Sequence, residues 1–308
     1  MKFLYAVLFI AVLSFRSVAQ EDSLLASLES TQPKEKVYIA STFKGTRLIN
    51  NYTVECLGKN NLEFRVGHRF GDVKGGEETF YGLDNANMNI TLDYGVFKWL
   101  TVGIGRNSYG KLYEGVIKCK VLRQRKGGWP FTVVALGKAN VLSNTKGAMY
   151  DDARNAWSYV SEVIIACKLN KRLSLQLSPT YLHINLVQKE FTSNDLFALT
   201  GAGRFKITRS VAITAEYTQV MNNYYNKDNV DNLKYIPVFS AGFDLETGGH
   251  VFQLFFSNAT TLNETQFIPL TTTDWGRSEY RFGFNISRIF AFGTKSKMEF
   301  KEASKSTF

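Results

Sequence analysis

The chain has 308 residues, a formal charge of +10 and three cysteines, Cys56, Cys119 and Cys167. An odd cysteine count with no paired spacing excludes a fully paired disulfide framework, and with no metal-type cluster neither a metal nor a cofactor is expected. The positive charge raises nucleic acid as a partner, a reading that needs a basic patch.

Residues 1–20, MKFLYAVLFIAVLSFRSVAQ, place Lys2 before an apolar run and small residues before Gln20. That is the pattern of a signal peptide cleaved near Ala19 or Gln20, so Sec-dependent export is expected. No later stretch reaches the ~20 consecutive apolar residues of a membrane helix. Residues 21–35 then form a periplasmic N-terminal segment. Within it DSLLASLES is the one helix candidate, with Leu24, Leu25 and Leu28 on a shared face.

From residue 36 the chain alternates. KVYIASTF (36–43) and the segment 48–58 read as the first two strands. In LEFRVGHRFG (62–71), Leu62, Phe64, Val66, His68 and Phe70 take one face, and Glu63, Arg65, Gly67, Arg69 and Gly71 the other. Similar segments follow at 86–97, 100–109, 112–123, 130–142, 155–169, 173–185, 196–207, 211–221, 235–247, 250–260 and 278–290. Ten or so residues match a tilted strand crossing a bilayer.

The connections alternate between short and long. Short ones hold Lys59, Lys98, Arg123, Arg125, Lys126, Lys171, Arg172 and Arg209 and no acid. The long ones, at 72–85, 143–154, 186–195, 222–234 and 261–277, hold twelve acidic against seven basic residues. Short turns at one end and long loops at the other is the outer-membrane barrel arrangement, with the short turns periplasmic. The positive charge is therefore a rim at one end, where lysine and arginine reach lipid phosphates. Nucleic acid as a partner loses its support; outer-membrane lipids gain it. Parity gives fourteen strands, with both termini periplasmic. Twelve results if 36–58 lies partly inside the barrel.

With apolar faces toward lipid, a polar lumen is lined by Glu63, Arg65, Arg69, Asp93, Glu114, Lys118, Lys120, Glu162, Arg204, Glu216, Asp244 and Arg281. Charges of both signs imply a narrow path with weak ion preference, or a ladder of ion pairs that stiffens the wall. The tryptophans, Trp99, Trp129, Trp157 and Trp275, fall at strand ends, where membrane barrels carry interfacial aromatic girdles. Catalysis finds no support. Neither His68 nor His183 is followed by the His-x-Ser pattern of outer-membrane phospholipases, and His250 sits in a two-glycine turn. GIGRNSYG (103–110) opens no helix, so its glycines relieve crowding or permit a bulge rather than cradle a phosphate.

TFKGTRLIN (42–50), HRFG (68–71), FYGLDNAN (80–87), LDYGV (92–96) and GIGR (103–106) resemble an outer-membrane β-barrel family of Bacteroidota-type bacteria, domain of unknown function 5777. The resemblance runs from about residue 37 to 290. It implies a barrel in the outer membrane of a Gram-negative bacterium, placed there by the barrel-insertion machinery, and carries over no substrate, activity or site residue.

The reading is thus an all-β, antiparallel transmembrane barrel over 36–290, followed by a C-terminal tail at 291–308. It acts as a channel or passive transport protein for a small polar solute or ion. The alternative is a non-conducting structural or adhesion barrel acting through its extracellular loops, and third an outer-membrane lipid-modifying enzyme. Oligomeric state stays open.

Overall fold

Alternation with few prolines commits the chain to strands, and these strands close on one another. The computed structural model describes residues 37–144, 152–187, 193–222, 235–247 and 249–292. The chain divides into Met1–Val37, of which Val37 alone is described, and Tyr38–Phe308, which holds the barrel. The expected helix within 21–35 and the tail from 293 onward lie outside the described residues.

The wall consists of β1 (Asn61–Phe70), β2 (Ala86–Phe97), β3 (Leu100–Asn107), β4 (Leu112–Leu122), β5 (Thr132–Leu142) and β6 (Trp157–Lys168). It continues through β7 (Leu173–Ile184), β8 (Asp195–Lys206), β9 (Val211–Val220), β10 (Val238–Thr247), β11 (His250–Ser257) and β12 (Arg281–Ala291). Each strand pairs antiparallel with the next, and β12 returns to β1 from Asn61↔Ala291 to Arg69↔Gly283. Closure leaves no unpaired edge. Pairing between β6 and β7 passes from Glu162↔Thr180 to Ile165↔Leu177. The skipped stretch contains Pro179, which has no N–H to give the ladder.

The barrel therefore takes the twelve-strand count, and the fourteen-strand count is corrected. Among the described residues, neither 37–43 nor 48–58 joins the wall; Tyr38 makes an isolated bridge with Arg125, and Tyr52 one with Arg47. A wall strand shows one face to lipid, whereas Leu48 through Val54 are buried on every side. The Asn50–Asn51 pair turns the chain back, with Leu48 N donating to Asn51 O (3.0 Å) and Thr53 N to Thr46 O (2.8 Å). Asparagine favours such turns because its side chain supports the bend.

The outer faces are apolar and exposed: Leu92, Ile104, Ile117, Leu175, Phe205, Phe243 and Leu254 all point away from the barrel. The faces of β1 are as alternation requires, with Glu63, Arg65 and Arg69 buried and Phe64 exposed. In water such an apolar belt would be costly; a bilayer removes that cost.

A second segment fills the lumen from the long-loop end. The connection from β11 to β12 folds inward and carries α1 (Glu264–Leu270), whose residues from Glu264 to Pro269 are buried. The Asn263 side chain caps this helix by accepting from Thr265 N at 3.0 Å.

Candidate functional site

The lumen is the candidate site, and two inserts occupy it. The first, 38–57, starts beside the short turns, where Ile39 N donates to Gln124 O. Its tip is pinned by the wall. Asn50 N donates to Glu216 Oε1 (2.7 Å), Asn50 Nδ2 to Ser240 Oγ (2.8 Å), and Asn285 Nδ2 to Ile49 O (3.0 Å). Lower down, Gln176 Nε2 donates to Tyr52 O (2.7 Å) and Lys118 Nζ to Glu55 O (2.5 Å).

The inserts meet at a buried charge cluster. Lys138 Nζ lies 2.6 Å from Glu114 Oε2 and 2.5 Å from Glu264 Oε2. Arg47 reaches the same acids, 3.8 Å from Glu114 and 3.6 Å from Glu264. The Tyr52 ring lies under Arg47 Cζ at 3.7 Å, with the ammonium groups of Lys118 and Lys138 at 5.2 and 5.6 Å from its centroid. Cations over an aromatic face gain from its negative quadrupole. Pairing of this kind offsets the cost of burying charge, and removing one partner strands the other.

Eleven of the twelve lumen candidates are buried inside the barrel, and Lys120 is partly buried beside Glu55 at 3.7 Å. Glu63 accepts from Thr46 Oγ1 of the first insert. Arg65 donates to Ile49 O (3.3 Å), and Arg69 to the Asn50 side-chain oxygen. Asp93 faces Gly103, where a Cβ would stand 1.8 Å from its Oδ1; at Gly105 a Cβ would stand 2.6 Å from Glu114 Oε1. The glycines of GIGR thus make room for two carboxylates. Arg204 pairs with Asp244 (3.0 Å) and with Glu246. Arg281 meets Asp72 at 3.4 Å. Glu162 is buried, with its Oε1 unpartnered among the described residues.

Of the tryptophans, Trp99 and Trp129 lie at the short-turn end and Trp157 and Trp275 at the long-loop end. Trp275 donates to Phe239 O (3.0 Å) and stacks on Tyr280 at 4.9 Å. His183 bonds Asp195 at 2.7 Å, and the Tyr181 hydroxyl donates to the same oxygen at 2.6 Å. No serine hydroxyl bonds His183 among the described residues.

Two features escaped the sequence reading. Arg47 and Glu264 join the inserts, yet one stood in the link between two expected strands and the other in a long loop. Several inward positions are also apolar: Val134, Leu136, Val160, Ile164, Leu182 and Leu196 are buried. They grip the inserts in two clusters, one around Phe43, Leu48, Tyr52 and Val54 and one around Phe267 and Ile268. The signal was legible in β6, where Val160 and Ile164 alternate with Tyr159, Val163 and Ile165. A strand apolar on both faces is covered on both.

The inner face of β12, β1, β2 and β3 differs. Its buried positions hold only polar side chains and glycine, among them Arg281, Asn285, Arg65, Arg69, Asn89, Thr91 and Asp93. Two cavities lie along this arc. One of about 380 Å³ opens at the long-loop mouth between Asp72, Asn87, Tyr109 and Arg281. The other, about 10 Å³, lies deeper between Arg47, Arg65, Asn89 and Asn285, with room for about one water.

The family model described as a membrane-bound β-barrel domain, DUF5777, matches residues 43–290. No curated protein matches the chain. Among solved structures the chain is similar to the NanC porin, at 12% identity and a TM-score of 0.46, over 74% of this chain and 98% of that one. It is also similar to the KdgM porin in complex with disordered oligogalacturonate, at 8% identity and 0.46, over 75% and 99%. A third is an outer membrane channel from Pseudomonas putida F1, at 11% identity and 0.45, over 77% and 98%.

Proposed function

The chain belongs to the DUF5777 family of membrane-bound β-barrel domains, and from that premise we propose that it is a passive channel held closed by its two lumen inserts. The carrying observation is the polar arc of β12, β1, β2 and β3, along which the mouth cavity and the deeper one lie. The inserts are packed by apolar clusters against the opposite side of the wall and touch the arc through hydrogen bonds. Water or a polar solute can replace a hydrogen bond at little net cost, but cannot replace apolar packing. The arc is therefore where a path opens when an insert shifts.

On this reading residues 1–20 direct Sec-dependent export. The barrel-insertion machinery of a Gram-negative, Bacteroidota-type bacterium then places the barrel in the outer membrane with its short turns periplasmic. No catalytic residue, metal or cofactor is assigned. A second reading, a non-conducting structural or adhesion barrel, is favoured by the filling of the lumen by 38–57 and 258–274.

Conductance in a planar bilayer separates them. Wild-type protein gives small, intermittent events, and Arg47→Ala, which unfastens the inserts from one another, enlarges them. Tyr52→Ala does the same by loosening the first insert. Folded barrels that stay silent in all three forms establish the second reading instead.

A further inference from the structure

Arg281, Arg69 and Arg65 form a column on the polar arc. Arg65 and Arg69 share the inward face of β1, four residues apart. Arg281 stands on β12 one inward position beyond Gly283, the partner of Arg69. The column descends from the outer cavity, lined by Arg281, to the deeper one, lined by Arg65.

What distinguishes its two deeper members, Arg65 and Arg69, from Arg281, which meets Asp72, is the lack of a carboxylate in ion-pair contact. Among the described residues, no carboxylate lies within 4.0 Å of Arg65 or Arg69, though Arg69 is 0% exposed. Arg65 has only neutral partners, Ile49 O at 3.3 Å and Gln253 Oε1 at 3.5 Å. Arg69 has the Asn50 side-chain oxygen and the Phe255 ring at 4.5 Å, while its Nε and Nη1 have no hydrogen-bond partner. The Glu216 carboxylate instead accepts the backbone N–H groups of Asn50 and Asn51. A buried guanidinium with no carboxylate in contact is costly, and its planar fork fits the oxygens of a carboxylate or phosphate.

We propose that this column is a binding site for a small solute bearing a carboxylate or phosphate group, admitted from the long-loop mouth. In the closed state Asn50 Oδ1 and Ile49 O stand where the solute's anionic oxygens go. Its arrival therefore frees the tip of the first insert from Arg69 and Arg65. The route rests on the channel reading; the site is testable without conduction.

The test is calorimetric titration of the folded full-length barrel in detergent with glucuronate, inorganic phosphate and, as neutral counterpart to the first, glucose. Binding of glucuronate, phosphate or both, without glucose, supports the site and names the anionic group it takes. Arg69→Gln weakens that binding about ten-fold or more. Asn50→Ala strengthens it, because the competing oxygen is gone, and Lys59→Gln in a short turn leaves it unchanged. Equal response to glucuronate and glucose, no anion binding to wild type and Asn50→Ala alike, or unchanged affinity in folded Arg69→Gln overturns the proposal. If Arg69→Gln does not fold, the Asn50→Ala comparison decides. A barrel that binds glucuronate but never conducts keeps this site and loses the channel; one that conducts but binds no anion does the reverse.

Discussion

Two sides of one inner wall treat the same inserts differently. On β4 to β8 every strand buries at least one apolar side chain, and these close around Phe43, Leu48, Tyr52, Phe267 and Ile268. On β12, β1, β2 and β3 the inserts meet only polar groups and glycine, through bonds such as Asn285 Nδ2 to Ile49 O and Leu57 N to Thr101 Oγ1 at 3.0 Å. Apolar contact is gained only while water is excluded, so that side grips. Hydrogen bonds exchange with water at small net cost, so on the proposed channel reading the other side is where movement begins. A barrel filled solely for rigidity needs no such division, since apolar packing replaces buried charge without loss of stability.

The sharpest break of this comparison is in the grip. Phe267 is 1% exposed; Phe267→Ala removes its packing and leaves a cavity, at about 3–5 kcal/mol. The expected outcome is early release of 258–274, read as hydrogen exchange in α1 that rises while the barrel strands stay protected. On the polar arc, Asn285→Ala deletes the bonds to Ile49 O (3.0 Å) and Gln253 Oε1 (2.9 Å). It costs about 1–3 kcal/mol through the acceptors left behind and raises the frequency of bilayer openings more than Phe267→Ala does per unit of stability lost. If the alanine at 285 leaves openings unchanged while the one at 267 promotes them, the path runs on the apolar side.

The smallest effect lies outside the membrane, where the loop after β1 is tied to the loop before β12. Glu279 accepts from Lys74 Nζ at 2.7 Å and from Asp274 N at 3.0 Å. The hydrogen bond from Lys74 holds its carboxyl below the usual range, with the Asp274 N–H adding to it. A carboxyl depressed on folding contributes fully above its unfolded pKa of about 4.3 and loses that contribution as pH falls through the lower folded value. Protease access to 72–82 is accordingly flat at neutral pH and rises in acid. Glu279→Gln removes the pH dependence, and an unaltered acid response in that variant assigns it to another group.

Much of this was legible in the residues. Strict alternation in LEFRVGHRFG, with Glu63, Arg65 and Arg69 on one parity, determines that one face is wet or paired and the other apolar. The basic short turns and acidic long loops determine which ends match. Twelve strands stand within a few residues of where alternation places them, from Asn61 to Ala291. Closure itself was decided by the tertiary structure. Residues 48–58 alternate as a wall strand does, and only the pairing of β1 with β12 leaves them no place in the ladder and sends them into the lumen. The inward fold of 261–271, the meeting of Arg47 with Glu264, and the absence of a carboxylate in contact with Arg65 or Arg69 were likewise invisible. Alternation records that two faces differ. It cannot record which groups from distant segments arrive on the inner one, because those contacts exist only once the wall has closed around them.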